Sequence, residues 1–360
     1  MREKIESASF FIGRGDDHDL ISFGSGQPDM APPLSAYHVL DNYREFKYGL
    51  IQGELALREA LAREYPEATP DQFVITNGAS EAIDLSLRCI AANGGAGGKV
   101  LLPRPYYYSY PFNVTFAGLT PIYYDLDQSG KIDFESFARL VPECAAVLIN
   151  SPSNPTGTVQ EIATLRKIEK LCDELGKYVI SDEVYKDLVY VRENYLLSGK
   201  KVLTVNSFSK TYAMCGLRVG YLYSKNKEIV QGVIEMKTHT SMNTSIMGQA
   251  MALASMKERD AYVAPHVAIW RERRDMIYEG MRALGLDLYK PEGAFYVLPK
   301  FKEPTRVMHD LYYNYKMITY DGTWFGAPDR LRFSYALDSS KIEEGLRRLK
   351  LFLENEYKTY

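Results

Sequence analysis

A chain of 360 residues, 46% hydrophobic and 25% charged, is long enough to bury two cores of unequal size and has the composition of a soluble globular enzyme. Its formal net charge of -3 supplies no basic field for nucleic acid or an anionic membrane, and no apolar run approaches the length of a membrane span. The four cysteines, Cys89, Cys144, Cys172 and Cys215, form no C-x-x-C pair and have no histidine at ligand spacing, so neither a zinc site nor a disulfide framework is expected. With no signal-peptide core in the first residues, a reducing, cytoplasmic setting fits best.

Residues 2–20 are polar and weakly periodic. Gly13-Arg14-Gly15 follows no strand, which argues against a dinucleotide fingerprint, and Asp16-Asp17-His18-Asp19 reads as a solvated charged turn rather than a metal cluster. After Ile21-Ser22-Phe23 comes a turn signal, Gly24-Ser25-Gly26-Gln27-Pro28-Asp29. Tyr48-Gly49-Leu50-Ile51-Gln52-Gly53 then precedes an amphipathic helix over 54–62. A β-branched strand over 73–76 ends in Asn77-Gly78-Ala79-Ser80 and opens a helix over 81–91. Backbone N–H groups at the positive end of that helix make a phosphate seat. Asn93 to Gly98 is richer in glycine, but it follows a helix and precedes a strand, which makes it a connector.

The strand over 99–102 leads through Pro105-Tyr106-Tyr107-Tyr108-Ser109 into a helix at Tyr110. Ala145-Ala146-Val147-Leu148-Ile149 is a continuous apolar run, the mark of a strand buried on both faces. It stops at Asn150-Ser151-Pro152-Ser153-Asn154-Pro155-Thr156-Gly157, a rigid turn that fixes where one amide side chain points. Beyond a helix over 161–175, a second buried strand over 177–181 ends in Asp182-Glu183-Val184-Tyr185. Carboxylates at a strand's C-terminal edge sit where open α/β sheets bind ligands.

The apolar run over 202–205 gives way to Ser207-Phe208-Ser209-Lys210, with Arg218 eight positions past the lysine. A lysine amine forms Schiff bases with carbonyls, and hydroxyls beside a guanidinium hold a phosphate dianion. Past Tyr221 the pattern turns helical, and Lys237 and His239 are expected to face solvent rather than an acidic substrate. A long helix over 259–284 follows. Arg330 and Arg332 alternate about Leu331 on a strand and are expected on one face, Arg330 as a surface partner, before a closing helix from Lys341.

The stretch from Ser207 to Leu222, with Ser207-Phe208-Ser209-Lys210 and Gly216-Leu217-Arg218-Val219-Gly220, closely resembles the lysine motif of class I/II aminotransferases, the fold-type-I enzymes that use pyridoxal 5'-phosphate (PLP). The likeness runs from Gly26 to Ala336 and includes Asn154-Pro155-Thr156-Gly157. It implies Lys210 as the catalytic amine, Asp182 on the pyridine nitrogen, and Tyr185 with Asn154 near the phenolic oxygen. It places Gly78, Ala79, Ser80, Ser207, Ser209 and Arg218 on the phosphate. The ring stacked on the cofactor is Tyr107, with Tyr106 as the alternative. Gly26, Asn154 and Arg332 are implied for the substrate carboxylate. Tyr48 matches a tyrosine that reaches the neighbouring subunit's cofactor, which implies a homodimer with sites at the interface; a tyrosine merely packed before a helix has the same spacing.

The fold implied is α/β: a large PLP domain with a mostly parallel central sheet flanked by helices, over 40–250, and a smaller α/β domain from both chain ends, over 1–39 and 251–360. The activity implied is transfer of an amino group from aspartate or an aromatic amino acid to a 2-oxo acid such as 2-oxoglutarate. A PLP-dependent lyase, acting by C–S β-elimination or decarboxylation, needs the same residues and stands as the alternative. Asp321 and Trp324 depart from the residues common in the family, which leaves the donor open.

Overall fold

A computed structural model describes residues 5–11, 19–95, 97–191 and 194–357, so the glycine and acidic segments at 13–18 lie outside the described residues. Its centre is a seven-stranded sheet of β1 (Phe73–Thr76), β2 (Lys99–Arg104), β3 (Thr120–Asp125), β4 (Cys144–Asn150), β5 (Tyr178–Asp182), β6 (Val202–Ser207) and β7 (Gly220–Tyr223). The spatial order is β1-β7-β6-β5-β4-β2-β3; the five strands from β6 to β3 run parallel, and β7 is antiparallel to both its neighbours.

Apolar residues of β2, β4 and β5 point alternately to two buried layers, which is why these strands read as unbroken runs. Val100, Leu102, Leu148 and Ile180 pack with the helix α1 (Gly78–Ile90) on one face. Leu101, Val147, Ile149 and Val179 pack with Leu165 and Ile168 of the helix Ile162–Glu174 on the other. Register aligns Asn150 with Asp182 and Asp182 with Val205, so the C-terminal ends of three parallel strands open at one level. Helix α1 begins at Gly78, three residues before the expected start. The reason is that Glu81 accepts the Asn77 N–H at 2.6 Å and closes the turn from within.

The beginning of the chain packs on its end. Ile21–Ser22 pairs in parallel with Met317–Ile318, and Phe23 shares an apolar cluster with Trp270, Ile277, Phe333, Leu349 and Phe352. Beside it lies a three-stranded antiparallel sheet of Tyr320–Asp321, Leu331–Ser334 and Tyr296–Val297.

Two expectations are corrected. Lys237 is fully buried, paired with Glu81 at 3.0 Å and bonded to Ser241 and Thr244 at 3.0 and 3.3 Å. A half-buried carboxylate at the head of α1, Glu81, draws the cation inward, whereas the exposed His239 pairs with the exposed Glu235 of its own helix. Arg330 is likewise buried: it donates to the Leu298 carbonyl at 2.8 Å and lies over the Tyr289 ring, which together replace the water a surface guanidinium would keep.

Candidate active site

The opening at the ends of β4, β5 and β6 is a cavity of about 330 Å³, within the range of small-ligand sites. Lining it are Gly26, Ala79, Ser80, Tyr107, Asn154, Asp182, Tyr185, Ser207, Ser209, Lys210, Arg218 and Arg332, which segments from both ends of the chain bring together. Gly78 lies just outside the lining, under the Arg218 guanidinium. Tyr48 stands apart on the surface, 82% exposed. Tyr106 turns away and stacks on Tyr123, so Tyr107 is the ring that faces the cavity.

Lys210 sits in the short helix Phe208–Thr211 that leaves β6, and Ser207 caps this turn by accepting the Ser209 N–H. Its Nζ donates to the Gly26 carbonyl at 2.6 Å. Burial lowers its pKa, and the Arg332 and Arg218 charges act in the same direction against Cys215 and Asp182. Asp182, the last residue of β5, is buried, which pushes its pKa up to about 6; hydrogen bonds from Tyr110 and the Val184 N–H oppose that rise. Asn150 ties the neighbouring strand ends together, donating to the Asp182 carbonyl at 3.1 Å and accepting the Asn154 N–H at 2.8 Å.

Arg332 is 2% exposed and boxed by the rings of Tyr296, Tyr320 and Phe325. Its guanidinium donates to Asn154 Oδ1 at 3.1 Å and to the Gly24 carbonyl, while Nε is buried with no partner. Among the described residues no carboxylate pairs with it. A buried guanidinium that lacks an acid is a receptor for an anionic group.

At the opposite wall, Gly78 has φ +75 and a Cβ there would overlap the Arg218 guanidinium. Arg218 itself holds a left-handed backbone, φ 54, a conformation that costs a non-glycine residue and recurs where a side chain must be aimed. Three serine hydroxyls, of Ser80, Ser207 and Ser209, line this wall with the Arg218 guanidinium and the N-terminus of a 13-residue helix, a donor set matched to a phosphate dianion. The buried acid of Asp182, the depressed amine of Lys210 and this anion seat together suit PLP, whose aldehyde, ring nitrogen and phosphate call for those three groups.

Sequence reasoning missed Tyr110, Tyr296 and Tyr108. Tyr110 donates to Asp182 Oδ2 at 2.6 Å, and the hydroxyls of Tyr185 and Tyr296 lie 2.8 Å apart. Tyr296 also forbids a side chain at Gly26, where a Cβ would overlap its hydroxyl. Only the abundance of tyrosine, 28 residues, hinted at phenols inside the site.

Such a sheet, with a lysine and an acid at its C-terminal edge, defines a PLP-dependent enzyme of fold type I. The sequence profile described as "Aminotransferase class I and II" matches residues 18–349. Similar proteins include a probable aspartate/prephenate aminotransferase of Aquifex aeolicus, 33% identical over 93% of this chain and 91% of that protein. The Thermus thermophilus aspartate aminotransferase solved with maleate superposes with a TM-score of 0.90 at 28% identity, covering 98% of this chain and all (100%) of that one. The aromatic aminotransferase of Pyrococcus horikoshii gives 0.88 at 27%, covering 97% and 99%. The chain belongs to the class I and II aminotransferase family, and it is a PLP-dependent transaminase.

Proposed function

We propose that the enzyme moves the amino group of aspartate or an aromatic amino acid to a 2-oxo acid such as 2-oxoglutarate, with Lys210 as tether and proton carrier. The observation that carries this reading is one cavity holding an amine whose proton affinity burial lowers, a buried acid and a buried guanidinium that pairs with no carboxylate among the described residues. Bound PLP supplies the electron sink for the pair left at the substrate's α-carbon.

The chain's own groups do the rest. Arg332 grips the α-carboxylate through its paired N–H donors, and Asn154, already bonded to it, fixes the fork. Lys210 Nζ, its proton affinity lowered by burial, would accept the substrate's α-proton and give it up again as the acid of the next step. Asp182 would keep the ring nitrogen protonated, Tyr185 would donate to the phenolic oxygen, and Tyr107 would cover the ring face. Ser80, Ser207, Ser209, Arg218 and the turn at Gly78 and Ala79 would hold the phosphate.

The names of the relatives and the neutral phenols of Tyr108, Tyr296 and Tyr320 in the cavity lining support the two donor classes. Tyr48 and Phe46, 82% and 84% exposed, support a homodimer in which Tyr48 reaches the second copy's phosphate. The apolar cluster shared by the chain ends supports a small domain over 1–39 and 251–360 beside a large one over 40–250. Four free thiols fit a cytoplasmic setting, and among the described residues no helix is long and apolar enough to cross a membrane.

A donor-by-acceptor screen on purified protein tests the reading, with Lys210→Ala beside it. Turnover that requires both an amino acid and a 2-oxo acid, and pyridoxyl trapped on Lys210 by borohydride, are expected, and both vanish in Lys210→Ala. Pyruvate and ammonia released with no acceptor would instead mark a lyase.

A further inference from the structure

Tyr110 opens the helix Tyr110–Phe116 and is 1% exposed. Its hydroxyl donates to Asp182 Oδ2 at 2.6 Å, and Asp182 Oδ1 takes the Val184 N–H at 3.3 Å. With one donor on each oxygen, the carboxylate plane is fixed, while each oxygen keeps a further lone pair for a ligand. The same phenol meets the Tyr107 ring edge-on, centroids 5.4 Å apart and planes at 78°. One side chain therefore touches both the buried acid and the ring that faces the cavity.

We propose that Tyr110 is the positioning residue of the ring-nitrogen acid: its hydroxyl sets the plane of the Asp182 carboxylate toward a protonated heteroaromatic nitrogen, while its ring backs Tyr107. This rests on the reading that Asp182 faces the cofactor's ring nitrogen. Burial and the neighbouring Asp182 charge hold the Tyr110 phenol well above its ordinary pKa, so it remains a donor across the working pH range. The hydrogen bond it makes opposes the rise that burial imposes on Asp182 and favours the carboxylate form. Replacing the hydroxyl by hydrogen keeps the ring and its packing, and leaves the buried Oδ2 without its short donor.

The test compares wild type, Tyr110→Phe, Asp182→Asn and the double variant by titrating each cofactor-free protein with PLP and with its 1-deaza analogue, in which a C–H replaces the ring nitrogen. Tyr110→Phe is expected to weaken PLP about tenfold and the deaza analogue less than about twofold. In the Asp182→Asn background the same change should add less than about twofold, because the two residues act as one unit. Equal weakening of both ligands would reduce Tyr110 to a packing residue and overturn the proposal, as would unchanged PLP affinity. Wild-type affinity in Asp182→Asn would instead overturn the parent reading of the acid, a distinct result.

Discussion

The wall of the cavity that holds Asp182, Lys210 and the anion seat comes from adjoining strands of one sheet and the turns at their ends. The wall around Arg332 is assembled from distant segments: its guanidinium reaches Gly24 across 308 positions and Asn154 across 178. In the first wall each chemical group follows directly from the strand that presents it, so the backbone does the positioning. In the second, an arginine on a short strand of a small sheet becomes useful only because the chain's first loop folds over it. A fixed cofactor can be served by local architecture, whereas a substrate that enters and leaves is met by a surface joined from separate segments.

If the walls are separable, changes in one should spare the other. Arg332→Lys, which forfeits the paired fork, is expected to lower kcat/KM for the amino acid about a hundredfold while PLP affinity stays within about twofold; steady-state kinetics with a cofactor titration read both. Loss of cofactor binding in that variant would break the comparison. From the other side, Gly78→Ala combines a positive φ with an overlap on Arg218 and should cost about tenfold in PLP affinity, with KM for the amino acid unchanged at saturating cofactor.

The smallest effect belongs to a residue that touches neither ligand. Glu183 is buried next to Asp182, with Ser181 on one oxygen and no hydrogen-bond partner on Oε2, and burial raises its pKa to about 8. In the unfolded chain a glutamate titrates near ~4.3, so between these values the native state binds the extra proton. Stability from this group is full at low pH and is lost as pH rises through about 8; Asp182 acts in the same direction through about 6. Thermal unfolding of the cofactor-free protein should therefore shift down by a few degrees between mildly acidic and alkaline pH. Glu183→Gln should flatten that slope, and an unchanged slope would place the titration elsewhere.

Much of the first wall was legible because its signals are short-range. An apolar run that stops at Asn150 or Asp182 announces both a buried strand and its functional edge, and Ser207 to Arg218 declare amine and anion seat within 12 residues. Lys237 and Arg330 were misjudged for a complementary reason. Charged residues on an amphipathic helix or near a strand end read as exposed, until a partner 156 positions away (Glu81) or a carbonyl 32 positions away (Leu298) is folded against them.

By itself, the order of residues determined the strands, the turns between them and the chemistry at each strand end, since backbone geometry and burial of apolar runs act over a few neighbours. Only the tertiary structure decided that Tyr110 bonds to Asp182, that Tyr296 meets Tyr185, and that Arg332 lies caged among Tyr296, Tyr320 and Phe325. Hydrogen bonds between remote side chains leave no periodic trace, because what selects them is the cost of burying a polar group unpaired, and that cost arises only once the chain has closed around it.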